Sequence, residues 1–180
     1  MRIQKEQALG LVIDIQERLF PVIHEKETLE KNVGILVEGL KALEIPIFVT
    51  EQYKKGLGDT IGSLKPVLGD YLHIEKLAFS CCDEPSFAEA LELSKKRTVI
   101  IAGIESHICV LQTAIDLRER GFYPVVVEDC VSSRTADSKR IAMERLRQEG
   151  VVVTSYESVL FELCRFAGTD AFKAVSKLVK

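Results

Sequence analysis

Ala8-Leu9-Gly10-Leu11-Val12-Ile13 is the stretch that decides the fold. It has no polar side chain, so it cannot alternate between core and solvent. Such a run suits a strand covered on both faces, as in a parallel sheet flanked by helices. After it, Leu29, Val33, Leu36, Val37, Leu40 and Leu43 recur at helical spacing, with Thr28 placed to cap that helix. Ile45 to Thr50 reads as a second strand, with Pro46 near its start. The charges and glycines of Glu51 to Gly58 read as a loop. Tyr71 to Glu75 is a weaker strand, and Pro85 to Leu93 a helix with proline in its first turn. Thr98 to Ala102 is a strongly β-branched strand ending at Gly103, and His107 to Arg120 a helix closed by Gly121. Pro124 to Val127 and Val151 to Thr154 are further strands, separated by a helix over Asp137 to Glu149. Tyr156 to Phe166 and Asp170 to Val179 read as closing helices. Strands alternating with helices predict one domain over residues 1–180, a Rossmann-like three-layer α/β/α sandwich around a mainly parallel six-stranded sheet.

Composition narrows the function classes. The chain has 180 residues, 47% hydrophobic and 28% charged, enough for a buried core and unlike a disordered segment. The formal net charge is -3, and the longest basic block is Lys95-Lys96-Arg97. Without a concentrated positive face, nucleic acid is not an expected partner. No apolar run approaches the ~20 residues of a membrane-spanning helix, so no membrane association is expected. The polar start, Met1 to Gln7, does not read as a secretory leader, and a cytoplasmic location is expected. The five cysteines are odd in number and include no CxxC pair, which argues against a disulfide framework and a zinc site. With neither GxGxxG after the first strand nor a GxxxxGK loop, no cofactor is expected.

In open α/β sheets ligands bind beyond the carboxyl ends of the strands. Asp14, Lys76 and Cys109 fall at or just after such ends. Ser106 as an N-cap would put Cys109 in the first turn of a helix, where the helix dipole, free N–H groups and a nearby ammonium favour a thiolate. A carboxylate to take the thiol proton, a cation and a thiol are sufficient parts for nucleophilic acyl transfer. Backbone N–H groups at the same turn could hold an oxyanion, each typically worth ~100- to 1000-fold in rate. The same residues have plainer readings. Cys109 beside Ile108, Val110 and Leu111 also reads as a core thiol, and an Asp after a strand as a cap. A non-catalytic binding module and a thiol-redox protein on the same fold stay open on these grounds.

Leu11-Val12-Ile13-Asp14-Ile15-Gln16, Lys76-Leu77-Ala78-Phe79-Ser80 and Gly103-Ile104-Glu105-Ser106-His107-Ile108-Cys109-Val110 resemble the three signature segments of the isochorismatase-like cysteine hydrolases. Asp129-Cys130-Val131-Ser132-Ser133-Arg134 also matches, and Thr50-Glu51-Gln52-Tyr53 is most similar to the branch called isochorismatase domain-containing proteins. The resemblance spans about Leu9 to Leu178. It implies a catalytic triad of Asp14, Lys76 and Cys109, and a cis peptide between Ile104 and Glu105. It further implies an oxyanion hole from the backbone N–H groups of Glu105 and Cys109, and hydrolysis of a small-molecule amide or related C–N bond through a Cys109 thioester. Assembly into a homo-oligomer is implied as well. Nicotinamidases of this superfamily carry an Asp-x-His metal site after the second strand. Here that place reads Thr50-Glu51-Gln52-Tyr53, so no metal is expected. Gln16, Phe20, Tyr53 and Phe79 lie near the same strand ends and are the expected substrate-binding residues. His24 and His73 read as incidental, and His107 as structural. The C-terminal stripe of Phe161, Leu163 and Phe166 reads either as a subunit contact or as core.

Overall fold

The run at 8–13 forms strand β1 (Ala8–Ile13), and all of it is buried. Leu9, Leu11 and Ile13 enter one hydrophobic core, while Ala8 and Val12 enter another on the opposite face. That is why the run has no polar member. The structure is a computed structural model that describes residues 2–69 and 71–180, so the first residue of the polar Met1–Gln7 stretch lies outside the described residues.

The remaining elements are α1 (Lys26–Ala42), β2 (Ile47–Gln52), the short helices α2 (Lys54–Leu57) and α3 (Lys65–Leu68), and β3 (Leu72–Lys76). They continue with α4 (Pro85–Ser94), β4 (Thr98–Ile104), α5 (Leu111–Glu119), β5 (Tyr123–Ser132), α6 (Ala136–Gln148), β6 (Val152–Thr154), α7 (Tyr156–Cys164) and α8 (Asp170–Leu178). The six strands lie in the order β3-β2-β1-β4-β5-β6, and every pairing is parallel, where a mainly parallel sheet was expected. Leu36 of α1, Leu160 of α7 and Val175 of α8 fill the core on one face. Phe87 of α4, Leu117 of α5 and Met143 of α6 fill the core on the other, which makes the three layers. Fully burying one such side chain contributes roughly 1.5–3 kcal/mol. Among the described residues no helix is long and apolar enough to cross a membrane.

Several boundaries differ from the sequence reading, each for a local reason. Helix α1 begins at Lys26 rather than after Thr28. Glu25 takes the cap position at φ 51°, its carbonyl accepting from the Leu29 N–H. Strand β2 runs on to Gln52 because β3 continues beside it, pairing Glu51 with Glu75 and Gln52 with Lys76. Within the stretch read as a loop, Lys54–Leu57 closes one helical turn. Strand β5 extends to Ser132, past a register irregularity opposite Ile101 and Gly103. Gly103 has φ +126°, and a Cβ there would lie 2.1 Å from the Ile13 carbonyl oxygen. Only glycine lets the end of β4 come this close to the end of β1. The C-terminal stripe resolves mostly into packing. Leu163 is buried and Phe161 lies against Phe172 with ring centroids 5.9 Å apart, leaving Phe166 exposed.

Candidate active site

The sheet order reverses between β1 and β4: one half runs outward through β2 and β3, the other through β5 and β6. The crevice at such a reversal is where open α/β sheets bind ligands. Asp14 follows β1 directly, in the left-handed region at φ 53°, a conformation that aspartate tolerates better than most residues. Its N–H donates to the Thr50 carbonyl at 3.1 Å, which ties it to β2. Its carboxylate is wholly buried. Oδ2 accepts from Lys76 Nζ at 2.7 Å and Oδ1 from Thr50 Oγ1 at 2.7 Å.

Lys76 ends the edge strand β3, and its side chain is fully buried as well. Its ammonium also donates to the Ala78 and Phe79 carbonyls at 3.1 and 3.2 Å, so all three N–H groups are used. Burial, the largest single influence, lowers the Lys76 pKa, but the Asp14 charge and hydrogen bond together with Cys81 and Cys109 outweigh it and hold the group above the ordinary lysine range. A buried charge of this kind is tolerable only when paired and hydrogen-bonded.

Cys109 sits in a wide turn, Ser106–Val110, that precedes α5. The peptide between Ile104 and Glu105 is cis, as the resemblance implied. The Glu105 carbonyl accepts from the N–H groups of Ile108 (3.1 Å) and Val110 (3.2 Å) and skips that of Cys109 between them. Ser106 does not cap the turn: its hydroxyl is buried without a partner, and Glu105 holds the cap position. Cys109 is 4% exposed, and its Sγ donates to Gln52 Oε1 at 3.1 Å. The thiolate expected from the helix start is not the form this site favours. Burial first, then the Asp14 charge, push the Cys109 thiol far above its ordinary pKa, and Lys76 only partly opposes them.

Strand alternation on β2 supplies the neighbours. Thr50 and Gln52 reach Asp14 and Cys109, whereas Glu51 reaches a different set of donors. The Glu51 carboxylate accepts from the Thr60 N–H (2.6 Å) and hydroxyl (2.7 Å), from Lys54 Nζ (3.1 Å), and pairs with His73 Nε2 at 2.7 Å. His73, read as incidental, is thus the outer half of a part-buried contact on the edge strand. His107 Nδ1 lies 2.9 Å from Ser133 Oγ. The buried Glu105 carboxylate is gripped by Arg134 through Nε and Nη2, at 3.1 and 3.0 Å, and by the Arg134 backbone N–H. Among the described residues, no three His, Cys, Asp or Glu side chains form a group that could hold a metal ion.

The other residues expected at the site land in different places. The Gln16 side chain is completely buried and spent on backbone: Nε2 donates to the Gln52 and Gly58 carbonyls, and Oε1 accepts from the Gln52 N–H at 2.8 Å. Phe20 packs half-buried against the core. Tyr53 and Phe79 are 51% and 53% exposed, next in sequence to Gln52 and close after Lys76. Of the vicinal cysteines, Cys81 touches Thr50 Oγ1 at 3.9 Å, while Cys82 faces the Thr113 carbonyl at 4.0 Å. Burial pushes their thiols up to about 11 and about 12. Sequence reasoning missed Thr50 and the Glu51–His73 pair. The signal available for them was period-two alternation carried past Thr50 into the apparent loop.

Known proteins share this sequence and fold. The isochorismatase domain matches residues 8–158. Isochorismatase domain-containing protein 2 from Danio rerio is 35% identical over 99% of this chain and 89% of its own length. Isochorismatase domain-containing protein 1 from the same species is 36% identical over 93% of this chain, which spans 59% of that protein. Among solved structures, the MAR1 ribonuclease of Caenorhabditis elegans superposes with a TM-score of 0.94 at 36% identity, covering 99% of this chain and 92% of that one. The YcaC gene product of Escherichia coli, described as an octameric hydrolase of unknown specificity, does so at 0.93 with 26% identity, covering 99% and 89%. With the match over 8–158 and relatives at 35–36% identity over at least 93% of its length, the chain belongs to the isochorismatase family.

Proposed function

We propose that the protein is a cysteine hydrolase that cleaves a small-molecule amide or related C–N bond, with Asp14, Lys76 and Cys109 as its catalytic residues. One observation carries the reading: a fully buried Asp14–Lys76 ion pair of 2.7 Å at the strand ends where a buried cysteine thiol senses both charges. The Cys109 S–H bond breaks as its proton passes to Asp14, and Sγ bonds to the substrate carbonyl carbon. The backbone N–H groups of Glu105 and Cys109 receive the oxyanion. The C–N bond then breaks, the leaving nitrogen takes the proton from Asp14, and a thioester remains. Asp14 next removes a proton from water, the hydroxide attacks the thioester, and the acid leaves as Cys109 regains its proton. Lys76 stays charged throughout and fixes Asp14. Gln16 acts through the β2 end that it clamps, and the exposed Tyr53 and Phe79 flank the substrate approach.

RNA cleavage, suggested by the name of solved neighbours, has less physical support. Three cations at the strand ends are paired with carboxylates: Lys76 with Asp14, Lys54 with Glu51 and Asp59, Arg134 with Glu105. A thiol-redox role needs a reactive thiolate, and burial raises both Cys81 and Cys109. The octameric state of the Escherichia coli neighbour supports homo-oligomer assembly.

The test is a panel of small primary and secondary amides assayed for released acid and amine. Turnover that falls by at least ~1000-fold in Cys109→Ala is the expected result. Turnover that survives the substitution overturns the reading.

A further inference from the structure

We propose that Gln52 is a positioning residue that holds Cys109 in its protonated form, by accepting the thiol's hydrogen bond in competition with Asp14. The inference rests on the proposed Asp14–Lys76–Cys109 site and concerns how that site is kept at rest.

The geometry fixes which end of the Gln52 amide meets the sulfur. Gln52 Nε2 lies 3.3 Å from the Leu77 carbonyl, a group that can only accept. The NH2 end must therefore face Leu77, which leaves Oε1 facing Cys109 Sγ at 3.1 Å. An amide oxygen there can accept from a thiol, but it repels a thiolate. The Gln52 main chain cannot drift away from this arrangement. Gln16 takes its N–H at 2.8 Å and donates to its carbonyl at 3.0 Å, and both glutamines bridge to the same strand end. The side chain is thus held at two points of its own and the backbone at two more.

A thiol has one proton to donate. At Cys109 two acceptors are offered, the Gln52 oxygen and the Asp14 carboxylate, and only the second can remove the proton altogether. Each Asp14 oxygen already holds one donor, Thr50 or Lys76, and keeps capacity for another. The charged or titratable groups that act on the sulfur are Asp14 after β1, Lys76 at the end of β3, and Cys81 in the turn beyond it. Within its own turn, Glu105 is occupied by Arg134, and His107 by Ser133. Gln52 is therefore an uncharged partner that biases the thiol without entering the ion pair. A rotation that breaks the Leu77 bond would turn NH2 toward sulfur, exchanging a partner for the thiol for a partner of the thiolate. Leu77 is 74% exposed, so the holding bond sits where an arriving molecule can disturb it.

The experiment is iodoacetamide alkylation of the Cys109 peptide in the full chain across pH, followed by mass spectrometry, with the buried Cys81 and Cys130 as internal references. Gln52→Leu removes the acceptor and is expected to lower the titration midpoint by about half to one unit, roughly three- to tenfold faster alkylation at pH 7. Gln52→Glu keeps the size, adds negative charge, and is expected to raise the midpoint. Opposite shifts support the proposal, since general loosening of the site would move both variants the same way. Unmoved midpoints, or shifts of one sign, overturn it. Asp14→Asn in the same assay tests the underlying site separately. A lowered midpoint there with Gln52 variants unmoved refutes the Gln52 role alone. An unmoved midpoint in Asp14→Asn refutes the proposed proton acceptor, whatever Gln52 does.

Discussion

Two buried carboxylates, Asp14 and Glu51, stand at the ends of neighbouring strands and serve opposite ends. Glu51 meets donors from Thr60 twice, from Lys54 and from His73, and these come from a loop, a short helix and the edge strand. Burial would raise its pKa, but Thr60, Lys54 and His73 together hold the carboxyl below the usual range. It is a saturated anion that staples the β2–β3 edge. Among the described residues, Asp14 is held by the side-chain donors Thr50 and Lys76 and faces a thiol whose pKa its own charge raises. Burial alone does not nominate Asp14 for the proposed catalytic role; unspent hydrogen-bonding capacity beside a second titratable group does.

The comparison breaks most visibly at Lys76. Lys76→Met removes the charge paired with Asp14, and a broken buried pair costs about 3–5 kcal/mol. Urea unfolding followed by circular dichroism should show that loss, with turnover abolished, and Lys76→Met combined with Asp14→Asn should recover part of the stability. An unchanged urea midpoint would show that the pair is not buried in solution. Thr50→Val comes next. It leaves Asp14 Oδ1 without its donor, for about 1–3 kcal/mol of stability. Turnover should fall as well, because the carboxylate proposed to take the thiol proton has lost the hydrogen bond that orients it. Thr50→Ser should restore it.

The smallest effect on turnover, and the sharpest contrast, belongs to Glu51→Gln. It should cost about 1.5–3 kcal/mol at pH 7 while leaving most of the catalytic rate. Because the folded carboxyl is held below its unfolded value, its contribution is present above roughly pH 4.3 and fades as the pH falls through the folded value. The stability gap between wild type and Glu51→Gln, measured by denaturant titration, should therefore be full at pH 7 and narrow toward pH 3. A gap that stays constant with pH would remove the distinction between the two carboxylates.

Much of this was legible in the residues. The apolar run at 8–13 announced a strand buried on both faces, and the strand ends placed Asp14, Lys76 and Cys109 before any coordinates. What stayed hidden depended on partners distant in sequence. Nothing local says that His73 pairs with Glu51 across 22 residues, or that Gln16 spends its whole amide on the backbone at Gln52 and Gly58. The charge-rich stretch after Thr50 read as a loop because its polar side chains looked solvent-bound. Glu51 and Gln52 are instead a strand end whose two faces meet two different sets of partners. The thiol state of Cys109 was misjudged for a related reason. Helix-start electrostatics is a local signal, whereas desolvation and the Asp14 charge belong to the folded interior.

Lys76 is carried by β3, the outermost strand of its half of the sheet, which is bonded to β2 alone. Edge elements open at a lower free energy than the centre of a domain, and they do so without global unfolding. The ammonium that steadies the most deeply buried carboxylate therefore rides on an edge strand, held there by β2, by the Glu51–His73 contact and by its own pairing with Asp14. An opening of β3 would withdraw Lys76 and leave Asp14 unpaired, so the ion pair at the centre of the sheet lasts only while that edge stays closed.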